Sequence, residues 1–324
     1  MNTLVVGAGA TGGYVGAQLV AAGRDVTFLV HDRTRARLNS SGLRVRGGDG
    51  ISTTRVNAVT VQGLQGPYDV VILGVRSDVI GHAINDLVGA VGLRTRIVPL
   101  MNGMVHVPLL TAAFGDDVVL GAAARLATSQ LPDGTIQELV PGVQLEIGQL
   151  DGGRTEALAR VVAELSVENV AVSVAADVLM AMWEKFAFIT ATAVLTCLAG
   201  DVIGPIARTA GGPALARRVL IEVASVAAAE GYPLPGPVLA GLDSTLTDPA
   251  SMFAPSMFRD LSAGRPVETT VLLDLAVRAR RHGIDTPLLD AALVVIDVQT
   301  QKGGGRDDSP QHRWSHPPAR LPEV

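Results

Sequence analysis

An α/β N-terminal domain followed by an all-α C-terminal domain is the fold class that this 324-residue chain predicts. Three observations carry that expectation. Short apolar runs alternate with helical patterns through the first half, and a glycine-rich turn follows the first of these runs directly. From about Val178 onward the pattern is helix after helix. Apolar runs interleaved with helices indicate a parallel sheet covered on both faces.

In order along the first half, Thr3–Val6 reads as a strand, Thr11–Ala22 as a helix closed by Gly23, and Asp25–Val30 as a second strand. Asp69–Val75 and Arg96–Leu100 read as further apolar strands, with a helix, Asp78–Val91, between them. Thr135–Val140 and Gly142–Gly148, split by Pro141, read as a hairpin that closes the far edge of the sheet. The second half reads as helices Val178–Ala199, Pro213–Ala229, Pro237–Leu246, Ala250–Ser262, Pro266–His282 and Pro287–Gln301. Gly231, Gly264 and Gly283 follow helical stretches, where a left-handed cap favours glycine. The expected domains are therefore 1–172 and 173–302. The remaining stretch, 303–324, is rich in Gly, Pro, Asp and Arg without periodicity and reads as a disordered tail.

Composition narrows the function classes. With 48% hydrophobic and 18% charged residues the chain can bury a substantial core. A net charge of −5 offers no basic field for nucleic acid or an acidic membrane surface. The single cysteine, Cys197, makes no intramolecular disulfide and reads as a small core residue. The N-terminus reads as no secretion signal, because Met1–Val6 runs straight into glycines. The longest apolar run, Phe186–Gly200, has 15 residues, short of the roughly 20 that span a bilayer. A cytoplasmic protein without nucleic-acid or membrane partners is expected.

Gly7-Ala8-Gly9-Ala10-Thr11-Gly12 joins the first strand to the first helix. Gly7 permits the tight turn, Gly9 lets a pyrophosphate approach the backbone, and Gly12 lets helix and strand pack closely. The helix N-terminus adds free N–H groups and a partial positive charge. In a strand–helix–strand context this G-x-G-x-x-G loop predicts a Rossmann-type dinucleotide-binding domain, against the alternative of a plain glycine turn. After the second strand come His31, Asp32, Arg33, Arg35 and Arg37. An acid there would bind the ribose hydroxyls of NAD, and cations the phosphate of NADP. The arginines, with Arg76 after a later strand, lean the expectation to NADPH; Asp32 keeps NAD open, and a solvated helix face is the bland alternative.

Of 26 basic residues only two are lysines, Lys185 and Lys302. Lys185 opens the long apolar helix in Met182-Trp183-Glu184-Lys185-Phe186. An ammonium beside such apolar residues suits a proton donor, since burial lowers its pKa toward neutrality and arginine cannot match that. A helix-end cation paired with Glu184 is the alternative. His106 lies near Asn102 and reads as a surface histidine at a helix start. His312 and His316 make no metal site, and neither HExxH nor paired-cysteine patterns occur.

The glycine loop, Met101-Asn102-Gly103-Met104, Trp183-Glu184-Lys185, and Ser256-Met257 with Asp260 and Glu268 together resemble the ketopantoate reductase family. These are NADPH-dependent 2-dehydropantoate 2-reductases with a Rossmann-type domain and a helical domain. The resemblance covers essentially residues 1–300, and the twelve-residue step from Ser256 to Glu268 matches the family's spacing. It implies reduction of a 2-oxo acid, 2-dehydropantoate first among them, with pantothenate synthesis as the pathway. Lys185 would bind the carbonyl oxygen and donate the proton, and Asn102 would hydrogen-bond cofactor and substrate. Glu268 would hold the lysine or the cofactor ribose, and Ser256 the substrate carboxylate or hydroxyl. Each has a plainer alternative: Asn102 an Asn-Gly turn, Glu268 an acid at a helix start, Ser256 a turn or cap.

Two departures bear on substrate. Where the family places asparagines four and eight residues after the lysine, this chain has Ile189 and Ala193. Thr190 and Thr192 are read as lying on other faces of the helix, where they do not compensate. His31 stands where the family commonly has an arginine. A related reductase of a more apolar 2-oxo acid is thus a second reading, and a non-catalytic dinucleotide-binding sensor a third. The apolar helices leave a homodimer open.

Overall fold

The computed structural model describes residues 1–303; of the expected tail, 303–324, Gly303 ends the last helix and the rest lies outside the described residues. The strands are β1 Asn2–Val6, β2 Asp25–Leu29, β3 Leu43–Gly47, β4 Gly50–Thr54, β5 Asn57–Val59, β6 Val70–Leu73, β7 Arg96–Pro99, β8 Leu120–Gln130, β9 Ile136–Gln149 and β10 Val170–Val174. The helices are α1 Ala10–Ala21, α2 Asp32–Ser41, α3 Ile80–Leu87, α4 His106–Phe114, α5 Glu156–Leu165, α6 Val178–Ala199, α7 Ile203–Ala207, α8 Gly212–Ala229, α9 Gly236–Leu246, α10 Ser256–Ser262, α11 Thr270–Arg281 and α12 Pro287–Gly303.

Leu4 and Val5 of β1 and all four residues of β6 are buried completely, so both faces of these strands need cover. The chain supplies it with a parallel sheet in the order β5-β2-β1-β6-β7. Val5 pairs with Phe28 on one side and Ile72 on the other. The order runs outward from β1 in both directions, which opens a crevice at the carboxyl ends of β1 and β6, where such sheets bind ligands. The expected α/β domain and the expected helical C-terminal region are both present.

The expected hairpin over Thr135–Val140 and Gly142–Gly148 is corrected. Both pieces belong to one strand, β9, paired antiparallel with β8. Pro141 sits where the register shifts near Ala127, and Gly142 adopts φ +82°. A bulge there absorbs a residue with no N–H to donate. β9 also pairs in parallel with β10 and β3, so these strands form a second sheet rather than the edge of the first. β8 has the sequence LGAAARLATSQ, and alanine is a weak strand former, which hides the strand in the sequence. Thr128 donates to the Ala10 carbonyl at 3.1 Å and Gln130 to that of Ala8 at 3.1 Å, fixing this sheet against the glycine loop.

The helical domain is organised around α6. Asp177 caps it by accepting the Met180 N–H at 2.9 Å, and Gly200 closes it in the left-handed conformation. At 22 residues α6 is longer than the expected apolar run and passes the length for a membrane span. Burial inside the protein accounts for that composition: Trp183, Phe186, Ala191 and Leu195 are all within the domain core.

Two helices begin later than expected, at Ser256 and at Thr270. Residues 251–253 stay extended because their carbonyls receive the Gly204 and Ile203 N–H groups at the start of α7, a helix the sequence pattern did not reveal. Pro255 then disfavours helix at the residue before it. Pro266 and Val267 are held by hydrogen bonds from the α/β domain, as described next.

Candidate active site

A cavity of about 700 Å³ lies between the two domains, with Ala10, Asn102, Lys185, Ser256 and Glu268 on its walls. At the α/β wall, Gly7 turns the chain at φ +89°, a conformation that favours glycine. A Cβ on Gly12 would stand 2.6 Å from the Gly7 carbonyl and 3.2 Å from the Gly74 Cα, so this contact admits no side chain. A Cβ on Gly9 would meet nothing within 4 Å. Gly9 caps α1 with no side chain bonded to the helix end, and the first N–H groups of a helix have no intrahelical acceptor. Open space above unpaired donors at the crevice fits a dinucleotide pyrophosphate.

On β2's side of the loop, His31, Asp32 and Arg33 are exposed. Arg35 pairs with Asp32 at 3.1 Å, and Arg37 donates to the Gly134 carbonyl at 3.0 Å. Arg33 has no ion pair among the described residues. Arg76 belongs elsewhere. It follows β6, on the other side of β1 from His31, and two strand spacings are close to 10 Å. Its guanidinium pairs with Asp78 at 2.9 Å and donates to the carbonyls of Pro266 at 3.1 Å and Val267 at 3.3 Å. The Ser77 N–H donates to Glu268 at 2.7 Å. Residues 76–77 thus clamp residues 266–268 to the α/β domain, and the structure does not join Arg76 to the phosphate-side arginines.

Glu268 lies ahead of α11 rather than in it. No hydrogen bond joins it to Lys185 among the described residues, yet its charge favours the lysine's proton. Lys185 projects from α6 and donates to the Met101 carbonyl at 3.3 Å. Burial, with Arg125 of β8 as a second cation, pushes its pKa down to about 8, and Glu268 opposes the shift. Arg125 pairs with Glu146 and lines the same cavity. Sequence reasoning missed it because the strand that carries it was not recognised.

The turn at Asn102 is braced from behind. Gly103 adopts φ +80°, the Ser77 hydroxyl donates to the Asn102 carbonyl at 3.1 Å, and Asp274 accepts the Met104 N–H at 3.0 Å. Asp274 in turn pairs with Arg278 at 2.9 Å. The expected Asn-Gly turn is real, and the Asn102 residue also lines the cavity. His106 is corrected: it is fully buried, not a surface residue. Burial, then the nearby Lys185, depress its pKa to about 3, so its ring is neutral.

The helical wall is apolar where the resemblance implied amides. Ile189 faces the cavity, as do Phe188 and Phe253, whose rings lie 5.4 Å apart. Ala193 instead is completely buried in the domain core. Thr192 is corrected: it also lines the cavity, because seven residues after Lys185 bring it back to the same helix face, but its hydroxyl donates to the Phe188 carbonyl at 2.8 Å.

Residues 3–152 match the family model for ketopantoate reductase PanE/ApbA, and residues 177–299 match the model for its C-terminal region. This chain belongs to the ketopantoate reductase family. It is 29% identical over 299 residues to the uncharacterized oxidoreductase YkpB of Bacillus subtilis, covering 92% of this chain and 98% of that protein. It is 25% identical over 321 residues to a 2-dehydropantoate 2-reductase of Mesorhizobium japonicum, covering 91% and 97%. Among solved structures, D-mandelate dehydrogenase with NADH and anilino(oxo)acetate aligns with a TM-score of 0.84 at 18% identity, over 94% of this chain and all of that one. At that identity the likeness is one of fold. The family membership makes this chain an oxidoreductase, and its fold that of the ketopantoate reductases.

Proposed function

We propose that this chain reduces the carbonyl of a 2-oxo acid to a 2-hydroxy acid, with NADPH as reductant, in the cytoplasm. One observation carries the reading: the Lys185 ammonium stands in the cavity that the first turn of α1 and the Asn102 turn also line. When bound, the reduced nicotinamide supplies a hydride to the carbonyl carbon. The N–H groups opening α1 hold the pyrophosphate. Arg33 and His31 at the end of β2 face the ribose phosphate, which favours NADPH over NADH. Asn102 orients cofactor and substrate, and Ser256 takes the substrate carboxylate.

Lys185 hydrogen-bonds the carbonyl oxygen, gives it a proton as charge develops there, and recovers a proton from water. With its pKa near 8 the lysine is protonated at neutral pH and still acidic enough to act. Glu268 keeps it charged. The family makes 2-dehydropantoate the reference substrate, and a step in pantothenate synthesis follows if that substrate is the physiological one.

The test is nicotinamide oxidation, with NADPH and NADH compared, against 2-dehydropantoate and other 2-oxo acids. Wild type is expected to turn over, and Lys185→Ala to lose roughly 10²–10⁴-fold in rate while still quenching on dinucleotide titration. Absence of turnover with every 2-oxo acid, or full activity in Lys185→Ala, overturns the reading.

A further inference from the structure

Three arginines line the cavity: Arg76, Arg125 and Arg259. Arg76 is paired with Asp78 and Arg125 with Glu146. Arg259 of α10 has no carboxylate partner among the described residues, because its neighbour Asp260 pairs with Arg265 at 2.7 Å. Its guanidinium is half-buried and donates to the Ala254 carbonyl at 2.5 Å. Burial lowers its hold on a proton, with Asp260 opposing. A guanidinium has five donors in a planar fork that matches a carboxylate. Ser256 stands one helical turn earlier on the same cavity-lining face.

The cavity also offers apolar surface on which the hydroxyls are already engaged. Phe188 and Phe253 meet as a tilted ring pair, with Ile189, Val238 and Leu242 around them. Thr192 and Thr245 also line this region, but their hydroxyls donate to the carbonyls of Phe188 and Gly241, at 2.8 and 2.9 Å. A substrate hydroxyl desolvated here loses its water without a donor to replace it. An apolar group gains in proportion to the area it buries.

We propose that the cavity takes a 2-oxo monocarboxylate with a bulky apolar side chain, its carboxylate held by Arg259 and its side chain by the Phe188–Phe253 pair. This inference rests on the 2-oxo acid reductase reading above. Arg259 is a binding residue that the family resemblance did not supply, and it discriminates charge. The ring pair and Ile189 discriminate side chains, disfavouring those that carry hydroxyls.

The experiment compares kcat/KM for phenylpyruvate, 4-methyl-2-oxopentanoate and 2-dehydropantoate in wild type, Arg259→Gln and Ile189→Asn. Wild type is expected to prefer the apolar acids by about tenfold or more. Arg259→Gln raises KM by ~10–100-fold with a smaller change in kcat, as loss of a charge-assisted pair predicts. Ile189→Asn moves the substrate ratio toward 2-dehydropantoate by about tenfold. Calorimetric titration with phenyllactate, the reduced 2-hydroxy acid of the same carbon skeleton, is expected to show binding to wild type with NADPH present, where no hydride transfer can follow, and none to Arg259→Gln. A wild-type preference for 2-dehydropantoate, or KM and phenyllactate binding unchanged in Arg259→Gln, overturns the inference and leaves the reductase reading standing. If no 2-oxo acid is reduced and phenyllactate does not bind, both fall.

Discussion

The α/β wall of the cavity combines the backbone that opens α1 with side chains such as Asn102 and Arg125, whereas the helical wall is made of side chains throughout. On the first, the start of α1 and the turns at Gly7–Gly12 and Asn102–Gly103 present N–H groups whose positions depend on glycine. On the second, Lys185, Ile189, Phe253 and Arg259 come from α6, α10 and the segment before it. A backbone wall recognises phosphate charge and shape and fails only where a Cβ intrudes. A side-chain wall changes its preference with one substitution. On the proposed function, the same cavity joins a rigidly specified cofactor side to an adjustable substrate side.

The largest expected effect separates two glycines on the backbone wall. Gly12→Ala forces a Cβ to 2.6 Å from the Gly7 carbonyl. It should cost about 2–3 kcal/mol of stability, the scale of an overpacked core. Gly9→Ala meets open space and should leave the melting temperature unchanged while weakening dinucleotide binding by about tenfold. Thermal melts with and without dinucleotide read both numbers. Equal stability losses in the two variants would break the contrast between packing glycine and ligand-facing glycine.

Next comes the titration of the side-chain wall. Lys185, depressed to about 8 mainly by burial, is the acid that the proposed reduction requires. Reductive kcat/KM should hold steady below about pH 8 and fall about tenfold per unit above it. The reverse oxidation should rise over the same range. Glu268→Gln keeps an acceptor for the Ser77 N–H yet removes the charge that favours the lysine's proton. Its profile should shift to lower pH. A profile that does not move would make Glu268 a clamp residue and nothing more.

The smallest effect lies behind both walls. His106 is buried next to Lys185 with no partner for either ring nitrogen among the described residues. Its pKa near 3 in the folded protein lies below the value near 6.5 of an unfolded chain. The unfolded state thus binds the proton first as pH falls, and stability is lost progressively from about 6.5 toward 3. At pH 5.5 that amounts to about 1 kcal/mol relative to pH 7. His106→Leu should remove this part of the acid sensitivity, as urea titrations at the two pH values will show.

What could be read in advance follows the range of the physics involved. The glycine loop was legible because turn, close approach and helix packing each demand glycine at one spacing, all within a few residues. Lys185 stood out by its rarity and its apolar surroundings, and the family resemblance assigned it a role. The two-part fold followed from apolar runs and helical periods, which are local.

The remainder is made of long-range pairs that no window of sequence contains. Arg76 donates to Pro266, 190 positions away, a contact between domains that its sequence neighbours do not announce. β8 reads weakly as a strand because its alanines gain their place only against β9. His106 is buried by the packing around α4, and its sequence neighbours do not announce it. Arg259 has no carboxylate partner among the described residues because Asp260 turned to Arg265. The sequence by itself determined which backbone geometries and which rare side chain the cavity has. Tertiary structure alone decided which charges are already neutralised, because that depends on partners brought together only by folding.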